Sequence, residues 1–285
     1  MKNKIAICLL FLFTTLALHA QTDSLQVEKQ ADSVKTKKQR VYVYKPGIDI
    51  PLTAVTAGLT LYNFSQIYSK ERISEATLMS LDPEDVGAFD RGAAGNYDEK
   101  AEEISDYMFY GAIPLPLLAF TLDSKIRKDY HIVSLLYLEA MSLTGVTYSS
   151  SQQLNNRRRP WAYSEKAPLG VRTSGSTKNS FMAGHPALVA TATFFLAKVY
   201  DDYHPDSSFK WVLYGFAGAT TYFNAYLRVE AGRHFPSDAI VGSVVGMASG
   251  ILVPHFHKNK LFKDPNLSIL PFSGEFHGLR LSYTF

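Results

Sequence analysis

Cysteine is almost missing from this chain. Of its 285 residues only Cys8 is one, and it falls in a segment that reads as an export signal. Residues 1–20 begin with Lys2 and Lys4, run apolar from Ile5 to Leu18 and end on a small residue before Gln21. With that segment removed, the chain has neither a disulfide nor thiol chemistry. An excess of one charge is missing too: 29 Lys and Arg stand against 26 Asp and Glu. The basic residues are dispersed except at Arg157, Arg158 and Arg159, which gives no nucleic-acid footprint but leaves room for a small anionic ligand. Metal-ligand spacing is also lacking. His255 and His257 are two apart and point to different sides of a helix, His131, His204 and His277 are isolated, and His19 belongs to the signal. Neither a metal nor another cofactor is expected. The acidic connector with Asp82, Glu84, Asp85 and Asp90 lacks the glycine and glutamate of a calcium loop, so it reads as solvated.

What is present is apolar sequence of helical character. Residues 21–40 are polar and lysine-rich and read as a flexible leader. The body, 41–258, holds six apolar segments at 51–68, 107–122, 132–148, 186–200, 211–227 and 239–253, none strictly alternating. They predict an all-α helical bundle of about six core helices. Glycines at 242, 246 and 250 line one helix face and let a neighbour approach closely, in a bilayer or in a soluble bundle. A span needs ~20 mostly apolar residues. The segment 239–253 suits this best; 51–68, with Asn63 and Gln66, suits it least. Lys and Arg in the connections favour five spans with an interfacial first helix, or no spans at all. In the tail, 259–285, Leu279, Leu281, Tyr283 and Phe285 alternate with polar residues, and with 267–272 they predict a short β-hairpin.

Three stretches carry the chemistry: Arg159-Pro160, the run from Ser180 to Gly184-His185, and Arg228, His234 and Asp238 spaced Arg-x5-His-x3-Asp. Together they resemble the type 2 phosphatidic acid phosphatase family, which also includes bacterial acid phosphatases and vanadium haloperoxidases. Its pattern is Lys-x6-Arg-Pro, Pro-Ser-Gly-His and Ser-Arg-x5-His-x3-Asp. The residue types make sense for phosphoryl transfer, which spreads negative charge over oxygens that fixed cationic donors stabilise. Arg159 and Arg228 supply forked guanidinium donors. The amides of Gly184 and His185, opening an apolar helix, attract an anion. Neutral His234 can attack phosphorus, with Asp238 holding its other ring nitrogen. His185 would protonate the leaving oxygen and then activate water. The resemblance implies the same roles.

Two departures from the pattern stand out. Gln152 occupies the lysine position, keeping an amide donor but no charge, and Met182 and Ala183 replace proline and serine. Arg157, Arg158 or Lys178 could restore the charge. The expectation is a phosphatase acting on a phosphorylated lipid or small phosphate ester through a phosphohistidine. It would be exported to the cell envelope and membrane-associated with its site on the periplasmic side, or else soluble there. Alternatives are a degenerate protein that binds phosphate-bearing lipids without turnover, and a vanadate-dependent haloperoxidase.

Overall fold

The computed structural model describes residues 40–259 and the backbone of two strands at 267–273 and 277–283. The expected export signal and residues 21–39 of the leader lie outside the described residues. The chain divides into two compact units: Tyr44–His255, and a second built from Met1–Val43 with Phe256–Phe285.

The larger unit is all-helical. Its helices are α1 (Pro46–Tyr68), α2 (Glu75–Met79), α3 (Ala88–Arg91), α4 (Glu99–Ala112), α5 (Leu115–Leu122), α6 (Tyr130–Leu154), α7 (Leu169–Arg172), α8 (Gly184–Tyr203), α9 (Phe209–Glu230) and α10 (Pro236–His257). Each expected apolar segment lies in this set. The segment at 107–122 is broken into α4 and α5, because Pro114 and Pro116 cannot donate the amide bonds that a continuous helix needs.

Helix α8 is the central element, with Ala187, Val189, Ala190, Ala192, Phe195, Ala197 and Val199 all sealed from solvent. The glycine repeat of α10 lies against its backbone. A Cβ at Gly242 or Gly246 would run into the carbonyl of Ala183 or Ala187, and one at Gly250 would lie 2.7 Å from the Thr191 carbonyl. Helix α6 crosses α8 on another side, where the Thr144 and Thr191 hydroxyls bond at 2.8 Å.

Helix α1 packs differently from the expectation of a separate interfacial helix. It lies along α6 and parallel to it. Thr56 bonds Ser142 at 2.8 Å, and the Asn63 amide donates to Ser149 at 3.2 Å and Ser150 at 2.9 Å. Its buried residues are Asp49, Thr56, Asn63 and Ile67, whereas Val55, Leu59, Leu61 and Tyr62 face outward. The same inversion marks α9: Thr221, Asn224 and Arg228 are buried, while Trp211, Val212, Phe216, Tyr222 and Phe223 are exposed. Of the two polar groups that made 51–68 look unlike a span, Asn63 is turned inward and satisfied there, whereas Gln66 is exposed.

In the second unit Tyr42 bridges Lys258, and the Asn259 amide donates to the Val41 carbonyl at 2.8 Å. Strands β1 (Leu267–Ser273) and β2 (His277–Tyr283) pair antiparallel, Leu267 opposite Tyr283 and Ser273 opposite His277. This is the hairpin read from the alternating tail.

Candidate active site

The three motif stretches meet at one end of the larger unit. Arg159 follows α6 and starts a 3-10 turn, His185 lies in the first turn of α8, and Arg228 sits near the end of α9. His234 is in the tight connection from α9 to α10. Gly232 makes that connection possible with φ +70, a conformation that other residues rarely adopt. A side chain there would also strike the Asn96 carbonyl.

His234 is 1% exposed. Its Nδ1 lies 2.6 Å from the carbonyl oxygen of Ser180. Since a carbonyl only accepts, Nδ1 carries the proton and Nε2 keeps its lone pair. Burial, with the fields of Arg159 and Arg228, holds the imidazole well below its ordinary pKa. It is neutral at physiological pH, as a nucleophile must be.

Asp238 takes a different place from the one expected. It accepts from the Ser180 hydroxyl at 2.6 Å and the Phe235 amide at 3.0 Å, and pairs with the Arg157 guanidinium. Its link to His234 runs through Ser180, whose hydroxyl it holds and whose carbonyl orients the ring. The geometric reason is that Asp238 is in the first turn of α10, where its carboxylate caps the helix it begins.

The two arginines of the motifs are buried, at 8% exposure for Arg159 and 3% for Arg228. Among the described residues Nε and Nη1 of Arg159 and Nε of Arg228 have no hydrogen-bond partner. Arg228 Nη1 donates to Asp106 at 2.9 Å and Ser105 at 3.2 Å. Arg159 lies over the Trp161 ring at 4.8 Å, with Arg233 at 4.3 Å. Burial and the neighbouring Arg228 draw Arg159 down to about 9, which still leaves it charged at neutral pH.

A sequence model of the PAP2 superfamily matches residues 133–262. Over that stretch the chain is similar to the PAP2 superfamily. Phosphatase activity is thereby supported in general terms. The crystal structure of the first transmembrane PAP2 type phosphatidylglycerolphosphate phosphatase from Bacillus subtilis is similar at 20% identity with a TM-score of 0.43, covering 73% of this chain and 94% of that one. No curated protein matches the chain in sequence.

Within the matched stretch, Gln152 commits one of its two amide N–H groups to the Met182 carbonyl at 3.0 Å. Arg157 is also spent, bridging Asp238 to Asp90. Asp90, read as part of a solvated connector, is 6% exposed and accepts from the Ser237 amide at 2.9 Å and the Ser237 hydroxyl at 2.6 Å. Burial pushes its carboxyl up, but the bonds from Ser237 and Arg157 outweigh that and leave it below the ordinary value.

Sequence reasoning missed three residues of this region. Asp106 on α4 touches His185 Nε2 at 3.1 Å and Arg228 Nη1 at 2.9 Å; an acid bordering the apolar segment at 107–122 was the available signal. Phe109, one turn on, stacks on the His185 ring with centroids 4.4 Å apart. Lys70, beyond the end of α1, donates to the carbonyls of Gln152 at 2.7 Å and Asn155 at 3.1 Å. Burial, with Lys178 and Arg159 nearby, lowers it to about 8. Nothing in its local sequence marks it.

Proposed function

We propose that the chain is a phosphatase that hydrolyses a phosphate ester of a lipid through a phosphohistidine at His234. The observation that carries this is the set of buried guanidinium N–H groups on Arg159 and Arg228 with no partner among the described residues, beside a buried neutral imidazole. A buried donor left unsatisfied costs ~1–3 kcal/mol, and an anion seated between the two arginines removes that cost. His234 Nε2 attacks phosphorus while the ester P–O bond breaks, and the leaving oxygen takes a proton from His185. His185 then takes a proton from water, the hydroxide oxygen bonds phosphorus, and the P–N bond breaks to release phosphate. Asp106 holds His185 and Arg228 in one arrangement throughout. With the charge supplied by the arginines, no metal is called for.

A lipid substrate and a membrane location are supported by the inverted faces of α1 and α9, which bury polar groups and expose large apolar ones. In water this arrangement is costly; among acyl chains it is the favourable one. Helix α10 is long and apolar enough to cross a bilayer. An apolar groove of about 420 Å³ between α9 and α10 runs from Val229 and Pro236 to Met247 on the same outer surface. The placement of Lys125, Arg127 and Lys128 between α5 and α6 supports an orientation with the site on the outer face of the envelope membrane.

The test is phosphate release by the purified chain from phosphatidic acid, an isoprenyl pyrophosphate and a soluble aryl phosphate, beside the His234→Ala variant. Release from the lipids that vanishes in the variant is expected. Lipid binding without any release would favour the binding-only protein, a reading that gains from the occupied amide of Gln152.

A further inference from the structure

The site departs from its motif pattern at two donors. Ala183 has no hydroxyl, and Gln152 carries no charge and commits one amide N–H to the Met182 carbonyl. The space beside Gly184 is filled by the ring of Tyr148, which reaches across from α6. A Cβ built on Gly184 would lie 2.7 Å from Cε2 of Tyr148 and 2.9 Å from its Cδ2 and Cζ. Any residue but glycine at 184 would displace that ring. Gly184 joins Ala183 to His185 at the start of α8, so the carbon bearing the phenol oxygen is pressed against the backbone whose amides open the helix. The hydroxyl itself lies within ~1.4 Å of Cζ, a covalent C–O reach.

Three further observations fix its surroundings. Tyr148 lies in the field of Arg159, and Arg159 in that of Tyr148. Phe64 on α1 packs against the ring, centroids 5.6 Å apart. Among the described residues none hydrogen-bonds the Tyr148 hydroxyl. An O–H donor is thus set against the first turn of α8, within electrostatic reach of Arg159, with no acceptor among the described residues.

We infer that Tyr148 is a phosphate-binding residue, its hydroxyl donating to the phosphoryl oxygen that a hydroxyl at position 183 would otherwise hold. This rests on the phosphate-ester reading of the site. A protonated phenol donates to an anionic oxygen without losing its proton, so it serves substrate, phosphohistidine and product alike. The rigid ring needs only two torsions fixed, against the longer reach of a lysine.

The experiment uses the full-length chain in detergent micelles, with orthovanadate as the probe for the five-coordinate phosphorus geometry and a lipid phosphate as substrate. Tyr148→Phe keeps the ring that packs on Gly184 and removes only the oxygen. It is expected to keep the wild-type melting temperature, to weaken vanadate binding and to lower kcat/KM, each by about 10- to 100-fold, the worth of one hydrogen bond to a charged group. Adding Ala183→Ser to Tyr148→Phe is expected to recover most of the lost vanadate affinity, whereas Ala183→Ser alone changes it little. Wild-type vanadate affinity and kcat/KM in Tyr148→Phe would overturn the assignment while leaving the phosphatase reading intact. A wild-type chain that binds neither vanadate nor phosphate, or a His234→Ala variant with full turnover, would overturn both.

Discussion

The Nδ1 of His234 and the carbonyl oxygen of Ser180 are 2.6 Å apart, and this contact sets the tautomer of the proposed nucleophile. A backbone carbonyl cannot be protonated or mutated away. It therefore holds the Nδ1 proton over a wider pH range than a carboxylate would. Asp238 acts one bond further out, holding the Ser180 hydroxyl and the Arg157 guanidinium.

Removing Arg157 strips both Asp90 and Asp238 of their cation. Breaking a buried pair from one side costs ~3–5 kcal/mol, so Arg157→Ala is expected to unfold at markedly lower temperature or denaturant. Among the described residues Arg158 hydrogen-bonds only the Asn156 carbonyl, at 3.1 Å, and Arg158→Ala should cost less than ~1 kcal/mol. Equal losses in the two variants would contradict the bridging role.

The acid side of the pH profile follows from His234. Protonation would disable the nucleophile, but burial and the two arginines hold its pKa well below the ordinary value, which is ~6.5. The rate constant for phosphohistidine formation should thus stay flat as pH falls through 6.5. Stability behaves oppositely: the unfolded imidazole takes up a proton near 6.5 while the folded one does not, so acidification below that pH destabilises the chain. His234→Ala should lose less stability in that window. An acid limb in the rate at 6.5 that belongs to His234 would count against the buried geometry.

How much of this the sequence carried depends on the kind of interaction. The helices were legible because apolar runs without alternation persist over 15 or so residues, and Arg159, His185, Arg228 and His234 were legible because their spacing is local. The hairpin was readable from the alternation of Leu279, Leu281 and Tyr283. Partners joined across the fold were not. Lys70 reaches carbonyls more than eighty residues away, and Asp90 meets Arg157 and Ser237 from a connector that reads as solvated. Composition misled for α1, because Asn63 counts against a membrane helix until its partners Ser149 and Ser150 are known.

Lys70 lends a positive field to the Arg159 side of the site only while protonated, and it titrates at about 8. Inhibition by inorganic phosphate, already doubly ionised above ~6, is expected to weaken as pH rises through 8. Lys70→Met should bind phosphate ~3- to 10-fold more weakly at pH 7 and show no step at 8. A step that persists in the variant would assign it to another group.

The parallel packing of α1 on α6 makes a topological prediction. Both helices run toward the site end, so Lys45 and Arg127 share the opposite end. In membrane vesicles, single cysteines at 45 and 127 should react with an impermeant maleimide from the same side, and a cysteine at Lys166 from the other. Labelling of 45 and 166 from one side would mean that α1 does not cross the bilayer with α6.

The central claim is a covalent bond between phosphorus and His234. Its most direct measurement is to mix the enzyme with a radiolabelled lipid phosphate, quench within the first turnover at alkaline pH, where phosphohistidine survives, and map the label by peptide mass spectrometry. Phosphate on the peptide containing His234, absent in His234→Ala, is the predicted result. Label on His185, or complete turnover with no label on any histidine, would contradict it.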